Sequence, residues 1–379
     1  MRASLVVSLV VLLAPAACAA AHDGVGARSG CAQRFVVPAY AAPAARARPL
    51  VEKLWRGLRA PGAAVAVAVR GQLVWSVTCG YRNRAARLEV QRSTRFRIGS
   101  VSKTLTSAAL AALVEEGRIG LDESVRRYVP SFPHEPTIRQ LAAHTAGLRA
   151  NAADELVNRR HYARVSDALT IFRNDPLLFR PGTEFSYSNW GYVLLGAALE
   201  AAAGEPYGDV VEDRVLAPLG LHRTVLDDVE RPVPKAVPYE IQNDGSAVRA
   251  PYHDASFRWP SGGWLSTAQD LAGFGSAFAA GKLVPPDLVR TFTADTHVAG
   301  RATGYGLGWE VHAQYAGHIG NTVGGSAALL VHLPTATAFA VTTNLGFVTA
   351  SAPPQPRAGT PTPPVILAPF LAGAGGARE

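Results

Sequence analysis

Strand signals stand at the two ends of this chain and helical ones between them, and that order constrains the fold most. Near the N-terminus AAVAVAVRGQLVWSVTCGYRN (63–83) sets two short apolar runs around Arg70-Gly71-Gln72, the pattern of a β-hairpin. After Gly304 the pattern returns as GLGWEVH, AALLVHL and TAFAVTTNL, with Pro334-Thr335-Ala336 turning the last two into a second hairpin. Between them, residues 118–230 carry helical stretches separated by Pro and Gly. The economical solution is an α/β fold: one antiparallel sheet built from both ends of the chain, flanked by helices, with an all-helical lobe inserted.

Helix boundaries follow from caps and periodicity. PLVEKLWRGLR (49–59) places Leu50, Leu54 and Leu58 on one face. Residues 100–116 read as a helix with Leu105, Ala109 and Leu113 on one face and Gly117 past the last turn. NWGYVLLGAALEAAAG reads as a buried helix closed by Gly204. Thr267 caps a further helix, with Asp270 at its third position. The resulting domain spans 50–350, preceded by an Ala-, Arg-, Gly- and Pro-rich linker at 21–49. It is followed by a Pro-rich tail, 351–379, whose segment PVILAPFLAGA packs back as a short apolar piece that Pro369 keeps from becoming a longer helix.

Arg2, the apolar run Leu5–Ala14 and the small residues after it predict a signal peptide over 1–20, hence an exported protein, periplasmic or secreted. Cys18 after Ala16-Ala17 is where a lipid anchor would sit, although Pro15 stands where a lipobox prefers Leu. An exported chain can oxidise the remaining pair, Cys31 and Cys79, and spacing leaves both the disulfide and the free thiols open. The apolar fraction of 48% is enough for a large core, and no run is long enough for a transmembrane helix. The net charge of +8 comes from scattered arginines rather than a basic stripe, so nucleic acid is not an expected partner. No Cys/His spacing resembles a metal site, so neither a metal nor another cofactor is expected.

Lysine is scarce: only Lys53, Lys103, Lys235 and Lys282 occur in 379 residues. Lys103 alone has a serine three places earlier, in Ser100-Val-Ser-Lys103. Residues i and i+3 share a helix face, and a helix N-terminus favours negative charge developing on Ser100 Oγ. A buried lysine one turn in loses proton affinity and can accept the serine proton. Ser102 and Ser107 have no such partner. Tyr187-Ser-Asn189 supplies a second proton-transfer group and an amide able to hold both the lysine and a substrate carbonyl. Tyr81-Arg-Asn83 repeats the spacing but ends the first hairpin and reads as turn chemistry, and His144-Thr-Ala-Gly147 reads as a structural turn. Gly304-Tyr-Gly-Leu-Gly308 opens a strand, so it makes a poor nucleotide loop.

S-x-x-K, then Y-x-N, then His318-Ile319-Gly320 on a late strand resembles the serine β-lactamase and penicillin-binding-protein superfamily. FRIGSVSKTLTSAALAALVEEGRIGLDESVRRYVPSF, QLAAHTAGL, PGTEFSYSNWGYVLLG and PLGLHRT are similar to its class C-type branch. APYHDASFRWPSGGWLSTAQDLAGFGSAF is similar to the mitochondrial serine β-lactamase-like proteins and their bacterial relatives. The resemblance covers roughly 50–346 and implies a β-lactamase/transpeptidase-like fold. It implies Ser100 as nucleophile, Lys103 as its activator and Tyr187 as the second proton-transfer group. It further implies Asn189, His318, Gly320 and Asn321 on the substrate side, with the N–H groups of Ser100 and Asn321 as oxyanion hole. Two departures count against an efficient β-lactamase: His318 stands where the family has Lys, and Ile319 where it has a hydroxyl. The expected activity is hydrolysis of an amide, peptide or peptidoglycan-like, through an acyl-enzyme. Esterase and weak β-lactamase are the alternatives within the enzyme class. The rival outside it is a catalytically silent envelope module.

Overall fold

The computed structural model describes residues 30–152, 154–242, 246–346 and 362–374. The expected signal peptide with Cys18, residues 21–29 of the expected linker and the stretch 347–361 lie outside them. In chain order the described elements that frame the site are β1 (Cys31–Val36), α1 (Ala41–Leu58), β2 (Gly62–Val69), β3 (Gln72–Asn83), α2 (Ser102–Glu115) and α3 (Asn189–Ala203). They continue with α4 (Ala268–Ala279), β4 (Glu310–His312), β5 (Tyr315–Thr322), β6 (Gly325–His332), β7 (Thr337–Thr343) and α5 (Pro363–Ala374).

The sheet runs β1-β3-β2-β7-β6-β5-β4, and every one of these pairings is antiparallel. The junction of the two chain ends is β2 against β7, with Val65 opposite Val341. Alternation along β2 sorts its side chains by size. Ala64, Ala66 and Ala68 join the core shared with the helical lobe, whereas Val65 and Val67 enter the core on the opposite face. The small residues let α4 lie close to the sheet. A Cβ on Gly275 of that helix would come within 2.9 Å of Leu329 and Val331.

Residues 31–49 are not a linker. Cys31–Val36 is an edge strand on β3, and α1 begins at Ala41. Ala44, Ala47, Val51, Leu54 and Trp55 form its buried stripe, so alanine does here what leucine usually does. Cys31 and Cys79 are opposite one another in the β1–β3 register and form a disulfide. The tail departs from expectation as well. Its apolar segment forms a helix that passes through Pro369 and packs with α1 on the outer face of the sheet. Phe370 lies 5.4 Å from Trp75, centroid to centroid. The carbonyl deprived of a partner by Pro369 belongs to Val365, an exposed residue, which limits the cost. The chain therefore does carry a C-terminal helix on the sheet.

The inserted lobe packs around α2. Every side chain of that helix from Ser102 to Leu113 is buried, so α2 is a central rather than an amphipathic helix. α3 opens with Ser188 as N-cap, its hydroxyl accepting from Gly191 N, and closes on Gly204 in the left-handed region. Thr267 caps α4 by accepting from Asp270 N, as the sequence predicts. Among the described residues no helix is long and apolar enough to cross a membrane.

Candidate active site

The site lies where the first turn of α2 meets β5 and the start of α3. Gly99, at φ 51°, turns the chain into a single 3-10 turn (99–101) that carries Ser100 into the helix. Only a residue without Cβ fits there, because a Cβ on Gly99 would lie 2.7 Å from the Asn321 nitrogen. Gly320 completes the fit from the strand side, where a Cβ would lie 2.9 Å from Ser100 N. The two glycines thus bring the Ser100 and Asn321 peptides face to face. Thr322 and Gly325 flank the β5–β6 turn as a register pair, and antiparallel alternation then directs the Asn321 N–H away from β6, toward Ser100.

Ser100 is half-buried and reachable, while Lys103 is fully buried. Lys103 Nζ lies 3.2 Å from Ser100 Oγ, 2.7 Å from Asn189 Oδ1 and 2.8 Å from the carbonyl oxygen of Ser261. The last two atoms can only accept. A neutral amine satisfies both with its two protons and leaves its lone pair for the Ser100 hydroxyl. Burial, and secondarily the Arg258 cation, hold the Lys103 pKa well below the ordinary lysine range, with Glu310 opposing. The rings of Tyr187 and Tyr192 stand 4.8 and 5.4 Å from Nζ. Asn189 is fixed in turn by donating from Nδ2 to Asn151 Oδ1 at 2.6 Å.

Tyr187 interacts with Ser100 through its hydroxyl. The residue is 37% exposed at the mouth, yet the surroundings of its oxygen are dehydrated and push its pKa up. It therefore holds its proton. His144 fixes the loop that carries it. The His144 carbonyl accepts from Ser186 N at 2.9 Å, and its Nδ1 accepts from Ser188 N at 3.1 Å. The His144 ring packs 4.2 Å from the Tyr187 ring, centroid to centroid. The HTAG segment is a turn, as expected, with His144 at φ 59°, but it is also a wall of the site.

His318 is 2% exposed and meets the site from beneath, 6.2 Å from the Tyr187 ring, rather than at its mouth. Nδ1 faces the Ile319 carbonyl oxygen at 2.7 Å, so it carries the proton; Nε2 then accepts from the Tyr305 hydroxyl at 3.0 Å. Burial, with Lys103 as a lesser cause, pushes its pKa down to about 3, and His318 is neutral. Ile319, pointing the other way on the strand, is 50% exposed at the cleft. Beside it, Glu310 Oε1 lies 3.5 Å from Ile319 N and 3.4 Å from His318 Nδ1. The Asn321 side chain turns to Ser326, whose hydroxyl donates to Oδ1 at 2.7 Å, so this residue offers the site its backbone.

All seven residues expected at the site meet around Ser100. Sequence reasoning missed His144, Tyr305, Arg258 and Glu310. Arg258 sits in FRWPSGGW with no acidic neighbour to flag it. It is buried and donates to Thr322 Oγ1 beneath the end of β5. Tyr305 falls within a Gly-rich segment that showed only a strand start. Among the described residues no group of three His, Cys, Asp or Glu side chains is placed to hold a metal ion.

A family model described as Beta-lactamase matches residues 47–360. The mitochondrial serine beta-lactamase-like protein LACTB of Homo sapiens is 28% identical over 388 aligned positions, covering 75% of this chain and 71% of that protein. Among solved structures, the octameric penicillin-binding protein homologue from Pyrococcus abyssi superposes with a TM-score of 0.70 at 23% identity, over 86% of this chain and 77% of that one. The D-amino acid amidase from Ochrobactrum anthropi SV3, complexed with L-phenylalanine amide, gives 0.68 at 22% identity, over 79% and 92%. These two structures share the fold. The family pattern spans most of the chain and includes every residue gathered around Ser100, and on that ground this chain belongs to the beta-lactamase family of serine hydrolases.

Proposed function

We propose that this chain hydrolyses an amide, peptide or peptidoglycan-like, by way of an acyl-enzyme on Ser100. The carrying observation is the contact of Lys103 Nζ with Ser100 Oγ at 3.2 Å, while both other neighbours of that nitrogen are acceptors. Lys103 takes the hydroxyl proton as Ser100 Oγ attacks the substrate carbonyl carbon. The oxygen that becomes negative rests between the Ser100 and Asn321 N–H groups, each such donor being worth about 3–4 kcal/mol in the transition state. Tyr187 gives its proton to the departing nitrogen and is reprotonated from Lys103. Water then adds to the ester with the same groups in reverse, releasing the acid and restoring Ser100.

Several features bear on the substrate. His318 is neutral and buried, and Ile319 occupies the mouth, so the cleft is poorly suited to a β-lactam carboxylate. Slow nitrocefin turnover follows from that arrangement. The amidase among the structural neighbours supports an amide ahead of a small ester. Export is part of the proposal, and the Cys31–Cys79 disulfide supports it, because such bonds persist in oxidising compartments. The test is a panel of D-amino acid amides, short peptides and p-nitrophenyl esters, comparing wild type with Ser100→Ala. Amide turnover lost in Ser100→Ala is the expected result. A folded protein that turns over nothing and takes no fluorophosphonate label would instead favour the silent envelope module.

A further inference from the structure

Away from the Ser100 cleft, a second cavity of about 310 Å³ is lined by Arg82, Arg95, Arg223 and Lys235, with hydroxyls from Ser93 and Thr94. None of its lining residues is acidic. The four cations come from separate parts of the chain and are fastened together by backbone. Ala236 N donates to the Arg95 carbonyl at 2.9 Å, and Val237 N donates to the Arg82 carbonyl at 2.7 Å. Arg95 Nε donates to the Arg223 carbonyl at 2.9 Å. Arg223, which also lines the cavity, donates its backbone N–H to Asp270 at 3.0 Å, and its charge acts on that carboxylate as well.

Charge balance around the cavity is unfavourable as it stands. Lys235 pairs with Asp227, but that carboxylate already takes Arg97 Nε at 2.6 Å. Among the described residues Arg82, Arg95 and Arg223 line the cavity without a salt bridge of their own, and Asp270 is the carboxylate that feels the Arg223 charge. Like charges held together by fixed backbone repel, and an anion between them removes that cost. Arginine forks match phosphate oxygens bidentately, and the two hydroxyls add neutral donors. Elsewhere Arg126, Arg139, Arg149 and Arg214 each pair with a carboxylate.

We infer that this cavity is a binding site for a phosphate-bearing small molecule, held by Arg82, Arg95, Arg223 and Lys235. The site is distinct from the nucleophile cleft and needs none of its residues. Its nearest link to catalysis is Asp227, which joins Lys235 to Arg97, and Arg97 donates to the Val323 carbonyl at 2.9 Å in the turn that ends β5.

Isothermal titration of the full chain with inorganic phosphate and with glycerol 3-phosphate, at matched ionic strength against sodium chloride, tests the assignment. Saturable binding at one site is expected, with at least a tenfold loss of affinity in Arg95→Gln/Arg223→Gln and in Arg82→Gln. Circular dichroism and unchanged basal hydrolysis establish that these variants fold. Vesicles of phosphatidylglycerol form the third arm, since a lipid surface carries the same phosphate chemistry. Absence of saturable heat with either small molecule overturns the inference. So does equal affinity in the variants, or binding to vesicles alone.

Discussion

Lys103 has three oxygen neighbours, none of them a carboxylate, and it lies in a fully buried site. In the proposed mechanism that environment supports the lysine rather than the tyrosine as the base, because burial lowers one pKa and raises the other. The sign for pH follows. Activity needs neutral Lys103, so it falls as pH drops through the lowered Lys103 pKa and is present above it. Arg258 sharpens this as a positioning residue, since its buried cation disfavours a second positive charge nearby. In Arg258→Met the acid limb of kcat/KM should move to higher pH, with the rate recovering in alkali. A purely structural role would lower the whole profile without moving it. Tyr187→Phe should lower kcat by about 10²- to 10⁴-fold, the usual contribution of a general acid, while Ser100 still accepts a fluorophosphonate. The Ser100, Lys103, Tyr187 and Asn189 constellation was legible because the chain has few lysines and one S-x-x-K. His144 and Arg258 were not, because each acts through a neighbour that only folding supplies.

At the scale of elements, the site depends on how closely β5 can approach the turn before α2. Gly99→Ala adds a Cβ at φ 51° and 2.7 Å from the Asn321 nitrogen. It should open the gap between the two oxyanion donors and cost about 10²- to 10³-fold in kcat, as removal of one donor does. Parallel circular dichroism should show the fold retained. The hairpin over 62–83, the helices at 102–115 and 189–203 and the late strands were readable from periodicity and caps. β1 and the first two turns of α1 were not. The buried positions in those two turns are Pro43, Ala44 and Ala47, and alanine, arginine and proline together look like a linker until a sheet is present to bury them. Pro369 misled for the opposite reason: its local rule is real, but packing of Phe370 on Trp75 outweighs it.

In the whole molecule, both chain ends serve the same sheet, and the Cys31–Cys79 disulfide fastens the outermost strand of the N-terminal side across a sequence separation of 48. In the chain-entropy account such a bridge contributes about 4 kcal/mol. Cys31→Ser should lower Tm by several degrees and make stability indifferent to reductant, with kcat little changed, since the bond lies on the far side of the sheet's centre from β5. The central claim concerns the opposite end of that sheet: Ser100, activated by neutral Lys103, becomes the acylated atom. Intact-mass analysis after rapid mixing with a p-nitrophenyl ester, followed by peptide mapping, tests it most directly. The prediction is one acyl adduct on Ser100, absent in Ser100→Ala and formed far more slowly in Lys103→Ala. An adduct on Ser102, or full ester turnover in Ser100→Ala, would contradict it.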